Sequence, residues 1–169
     1  MRGRCFTVND GDLQELYRDI ILEHYHYPRG HKHVDAPDIH NEGKNPVCGD
    51  EIELEVKLNG DVVEQVGVHC VGCAISVASG SMLSEIVEGK SIGEVKRIAQ
   101  VVKAMLTGAD LPEGVDPADL GDLEVLQGVR NFPVRIKCAL LAWTTLVEGL
   151  KNYESGNGAA QVETAATEQ

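Results

Sequence analysis

The sequence predicts an α+β domain: a small antiparallel β-sheet packed against several helices. Three observations predict it. Ile52, Leu54, Val56 and Leu58 alternate strictly with Glu51, Glu53, Glu55 and Lys57, the period of a half-buried strand. Asn59-Gly60 follows at once, a strong hairpin-turn signal. One helix-spaced stretch precedes this pair of strands and several follow it. Strands grouped before helices, without βαβ alternation, mark the α+β class.

Each element has its own signal. Asp12 and Glu15 form a capping-box-like D-x-x-E, and Leu13, Leu16, Tyr17, Ile20, Ile21 and His24 continue at helical spacing toward Pro28. Tyr17 and Tyr25 are read as core residues of this helix. Residues 28–46 are rich in Pro, Gly, His and Asn and are expected to form a long loop. The strand after Asn59-Gly60 is expected over about Asp61 to His69. Ile75, Ala78, Ser79, Met82, Leu83 and Ile86 carry the next helix, with Gly89 as its stop signal. Ser91 and Glu94 open a further helix that ends near Gly108. Residues 109–132 are acidic and turn-rich, with a short helix after Asp116-Pro117. Pro133 starts the last helix, striped by Ala139, Leu140, Trp143, Leu146, Val147 and Leu150. Residues 1–153 are read as one domain, and the Gly/Ala/Glu/Thr-rich residues 154–169 as a disordered tail.

Composition narrows the function. The 169 residues suffice for a real core without disulfide staples. A net charge of −12 opposes non-specific binding to nucleic acid or to an anionic membrane. No apolar run approaches the length of a membrane span. The first residues, MRGRCFTVNDGD, lack the apolar stretch of a secretory signal, so a cytoplasmic location is expected. An odd count of five cysteines in a reducing compartment argues for metal or reactive-thiol chemistry rather than a disulfide framework.

Four residues stand out. Residues two apart in an extended segment point the same way, so Cys48 and Asp50 can face one point, and Gly49 lets another backbone approach. Cys73 falls where the second strand gives way to a helix, whose N-terminus stabilises a thiolate. Cys138 lies early in the last helix. Three thiolates and one carboxylate would suit Zn²⁺ or an iron–sulfur cluster. Their separations of 25 and 65 residues are unlike the compact pairs of zinc fingers, so three buried cysteines remain an open reading.

Four motifs in order, LYRDIILEHYHYPRG, NPVCGD, GCAISVASGSML and VRIKCALLAW, resemble the IscU/SufU family of iron–sulfur cluster assembly proteins across about residues 12 to 152. An insertion at residues 109–132, and Lys137 before Cys138 where IscU proteins usually carry histidine, make the likeness strongest to the SufU branch. The resemblance implies an IscU/SufU-like fold. It implies that Cys48, Asp50, Cys73 and Cys138 bind zinc, or alternatively iron or a nascent [2Fe–2S] cluster. It implies that Cys48 accepts persulfide sulfur from a SufS-like cysteine desulfurase and relays it to a downstream scaffold or recipient, as a zinc-dependent sulfurtransferase-like partner rather than a stand-alone enzyme. The alternative is a scaffold on which a [2Fe–2S] cluster is built and passed on.

Cys70 departs from that pattern, because relatives usually carry a small residue there. It makes a C-x-x-C with Cys73 and is read as a packed small residue or an auxiliary thiol. Arg135, three residues before Cys138, would steady a thiolate, contact a partner or simply be solvated. Lys137 and the six histidines are expected at the surface, and Cys5 reads as incidental.

Overall fold

The computed structural model describes residues 10–156 and 163–165. Helix α1 (Asp10–His26) leads into β1 (Ile39–Asn45), β2 (Asp50–Asn59) and β3 (Val62–Val71), followed by α2 (Ala74–Val87) and α3 (Ile92–Thr107). A 3₁₀ segment, Pro117–Asn131, kinked at Gly121, leads to α4 (Pro133–Glu154), and a short β4 (Glu163–Ala165) ends the order. β3, β2 and β1 pair antiparallel in that order, and β4 adds parallel to β1.

The predicted hairpin forms as its residues dictate. Gly60 has φ +64° in the turn, and Ile52, Leu54, Val56 and Leu58 face the core while the charged residues between them face outward. The capping box at Ser91 and Glu94 closes in both directions, and α3 stops at Gly108 in the left-handed conformation. One face of the sheet is covered by α4 and α2, with Trp143, Leu146 and Leu150 of α4 fully buried. No helix of the described residues is long and apolar enough to cross a membrane.

Several sequence expectations need correction. Residues 39–45 are a strand, not loop: Ile-His-Asn-Glu-Gly-Lys-Asn lacks strand propensity and is held by its register on β2, Ile39 opposite Val56 through Asn45 opposite Asp50. β3 runs to Val71, so Cys70 belongs to the strand. α1 begins at Asp10, which places Asp12 inside its first turn rather than at the cap. Tyr17 packs against the core, but Tyr25 is exposed. The supposed tail contributes β4; residues 157–162 and 166–169, like Cys5, lie outside the described residues.

The histidines also divide. His24 is buried, its Nε2 donating to Asp122 Oδ2 (2.8 Å) and its Nδ1 meeting Ser81 Oγ (2.7 Å), a tie between α1, α2 and the 3₁₀ segment. A ring with both nitrogens satisfied can be buried at little cost. Lys137 is half-buried rather than exposed.

Candidate metal centre

The three antiparallel strands end together at one edge of the core. β1 closes at Asn45, a four-residue turn over 46–49 carries Cys48, and β2 opens at Asp50. Directly across the sheet β3 finishes at Val71, and Cys73 caps α2 from the N-terminal side. Cys138 comes down from the second turn of α4.

These elements bring Cys48, Asp50 and Cys138 together, and set Cys73 beside Asp50 but outside that mutually close group. Ligand atoms of Cys48, Asp50 and Cys138 all lie within 4.8 Å of one another. Cys138 Sγ is 3.2 Å from Cys48 Sγ, and Cys73 Sγ is 4.0 Å from Asp50 Oδ2. Two thiolates at 2.3 Å from one tetrahedral Zn²⁺ stand about 3.8 Å apart. The Cys48–Cys138 pair is within about 0.6 Å of that spacing, and three thiols with one carboxylate are a donor set that fits zinc or iron–sulfur chemistry.

The site has a polar lining that the sequence did not reveal. Asn45, fully buried, points Nδ2 at both Asp50 Oδ2 (3.4 Å) and Cys138 Sγ (3.6 Å). Its Oδ1 accepts from Val47 N (3.3 Å), and its carbonyl accepts from Gly49 N (2.9 Å), so one residue shapes the Cys48 turn and orients two candidate ligands. Asp50 is itself fully buried, and its Oδ1 accepts from Cys73 N at the start of α2 (2.9 Å). Ser76 Oγ lies 3.7 Å from Cys73 Sγ. The Asn-Pro pair at 45–46 marks a turn whose asparagine bonds to its own backbone, the one local signal that could have singled out Asn45.

Burial, and then the neighbouring Cys48, Asp50 and Cys73, push the Cys138 thiol far above the ordinary cysteine range. Without a cation it stays protonated; a metal ion would make it a thiolate and release its proton. Arg135 is exposed beside the group, and contact with Cys138, reinforced by Cys73 and Cys48, raises its pKa. Cys70 is not among the mutually close ligand atoms but neighbours them, in reach of Ser76, Asp50 and Cys73. It is half-buried against the core, and burial pushes its thiol up to about 11.

Access differs among the thiols. Cys138 is fully buried. Cys48 lines an open cleft of about 610 Å³ with Val47, Phe132, Val134 and Arg135. Three of these, Val47, Phe132 and Val134, are large apolar side chains left exposed.

The chain is similar to known proteins in sequence and in fold. The NifU-like N terminal domain family matches residues 16–139. The zinc-dependent sulfurtransferase SufU of Bacillus subtilis is 41% identical over 148 residues, covering 88% of this chain and 98% of that protein. The iron–sulfur cluster assembly scaffold protein IscU of Streptococcus pyogenes is 38% identical over 139 residues, 82% of this chain and 85% of that one. Among solved structures, FiSufU from Fervidobacterium islandicum AW-1 superposes with a TM-score of 0.74 at 31% identity, over 81% of this chain and 98% of that chain.

Proposed function

The chain belongs to the NifU-like N terminal domain family, and from that premise we propose that it serves iron–sulfur cluster assembly as a sulfur acceptor, taking persulfide sulfur onto Cys48 from a cysteine desulfurase. The observation that carries this reading is the difference in access. Cys48 opens onto a cleft rimmed by exposed apolar side chains, Cys138 is fully buried, and Cys73, though half-buried like Cys48, does not line that cleft.

The chemistry balances without an outside oxidant. The Cys48 thiolate attacks the outer sulfur of the donor's cysteine persulfide. A new S–S bond forms on Cys48, the donor's S–S bond breaks, and the donor cysteine leaves as a thiolate that takes up a proton. Zinc held by Cys48, Asp50, Cys73 and Cys138 would keep the thiols ionised at neutral pH. Asn45 fixes Asp50 and Cys138 in position throughout, and Arg135 offers a positive charge beside the sulfur as it arrives. Residues 109–132 are read as the SufU-type insertion, in a cytoplasmic setting.

The test uses tag-free protein purified without oxygen and mixed with a cysteine desulfurase and cysteine. Intact mass should show one added sulfur on the wild type and none on Cys48→Ala, while Cys70→Ala is loaded like the wild type. Equal loading of Cys48→Ala would overturn the acceptor role. The likeness to a scaffold protein at 38% identity favours the second reading, a cluster built on these same residues. A brown product with acid-labile sulfide would support the scaffold, and colourless protein with zinc the sulfur acceptor.

A further inference from the structure

We infer that His33, His69 and Glu55 form a second divalent-metal site, on the outer face of the sheet and separate from the cysteines. Ligand atoms of these three residues lie within 4.8 Å of one another. His33 comes from the loop before β1, Glu55 from β2 and His69 from β3, so nothing in their sequence spacing shows the group.

The loop that carries His33 also holds the other two ligands in place. His69 Nε2 is 3.1 Å from the Lys32 carbonyl, which can only accept, so Nε2 carries a proton and the neutral ring keeps its lone pair on Nδ1. A metal-binding imidazole is usually oriented by this kind of hydrogen bond from its other nitrogen. Glu55 Oε2 accepts from Val34 N (2.9 Å), and the Glu55 side chain is only 13% exposed. Backbone groups on either side of His33 therefore fix both partners.

The remaining contact leaves room for an ion. His33 Nδ1 stands 3.5 Å from Glu55 Oε2, too long for a good hydrogen bond but a natural distance for two ligands sharing a cation. The His33 and His69 rings stack at 4.4 Å, and His31 packs edge-on against His69 at 4.9 Å. Two imidazoles and one carboxylate select borderline cations such as Zn²⁺, Co²⁺, Ni²⁺ or Fe²⁺ over Mg²⁺ and Ca²⁺, which prefer all-oxygen sites.

Co²⁺ is the probe, because its spectrum separates sulfur from nitrogen and oxygen ligands. Tag-free, zinc-loaded protein is titrated with Co²⁺ and desalted, and bound metal is counted. The wild type should keep one extra Co²⁺ per chain, with weak ligand-field bands and no thiolate charge-transfer band. His33→Ala and His69→Ala should lose that ion and keep their zinc, which also reports that they fold. Glu55→Gln should bind it at least about ten-fold more weakly. Cys138→Ser should lose zinc but keep the extra cobalt. A wild type that retains no extra Co²⁺, histidine variants that retain it, or an unchanged Glu55→Gln would each overturn the site.

Discussion

The two faces of one sheet carry two different chemistries, and the same strands build both. β1 turns Asn45 inward and His40 outward; β2 turns Asp50 inward and Glu55 outward; β3 turns Cys70 inward and His69 outward. The inner cluster is walled by helices, buried and soft, and its polar groups are held by Asn45 and Cys73 N. The outer cluster is half-open and made of imidazole and carboxylate, and a loop holds it rather than a helix. Period-two alternation is therefore an economical device. One strand can place a thiolate-rich site on one side and an imidazole–carboxylate site on the other, without either sharing a ligand.

The sharpest break in the comparison is Cys138→Ser. An alcohol does not ionise at neutral pH, so zinc affinity of the inner cluster should fall at least about 100-fold in chelator competition, with the outer cation untouched. Joint loss of both would mean that the faces are not independent.

Asn45→Ala comes next. It removes no ligand but leaves Asp50 and Cys138 without their shared donor, and inner-site affinity should fall about ten- to hundred-fold. Affinity equal to the wild type would show that the turn and α2 alone fix the carboxylate.

A pair of glycines then separates the faces by sterics. A Cβ on Gly72 would collide with the Asp50 carboxylate, and one on Gly67 would collide with the Lys32 carbonyl. Gly72→Ala should damage only the inner site and Gly67→Ala only the outer one, each at about 1–3 kcal/mol of stability in denaturant unfolding. The reverse pattern would contradict the assignment of faces.

The smallest effect concerns Cys70. Its thiol is raised from 9.0 to about 11, first by burial. Below pH 9 both folded and unfolded chains keep the proton. Between pH 9 and about 11 the unfolded chain ionises first, so stability falls as pH rises through that window. Unfolding across a pH series should show that decline in the wild type and a flatter one in Cys70→Ala.

Much of this was legible because it is local. Alternation over residues 51–58, the Asn59-Gly60 turn and the Ser91/Glu94 capping box each depend on neighbours a few positions away. The cysteine cluster became legible only through four motifs together, since spacings of 25 and 65 residues by themselves left buried cysteines an open reading. β1 escaped notice because its polar residues become a strand only by pairing with β2. Asn45 and His24 escaped because burial of a polar side chain depends on partners up to 98 residues away. The histidine cluster is the extreme case: irregular along the chain, it is assembled by a loop folding over Gly67.

The position of Cys138 on α4 has a consequence for the chain as it is being made. Cys48, Asp50 and Cys73 emerge early, but the ribosome must add the 65 residues that follow Cys73 before the last thiol exists. At ordinary synthesis speeds that delay is about 3–13 s. Until α4 docks, Asp50 and Asn45 have no roof, and the other thiols face water. Cargo can be gripped only by a finished chain, so a prematurely terminated fragment would compete poorly for scarce metal or reactive sulfur.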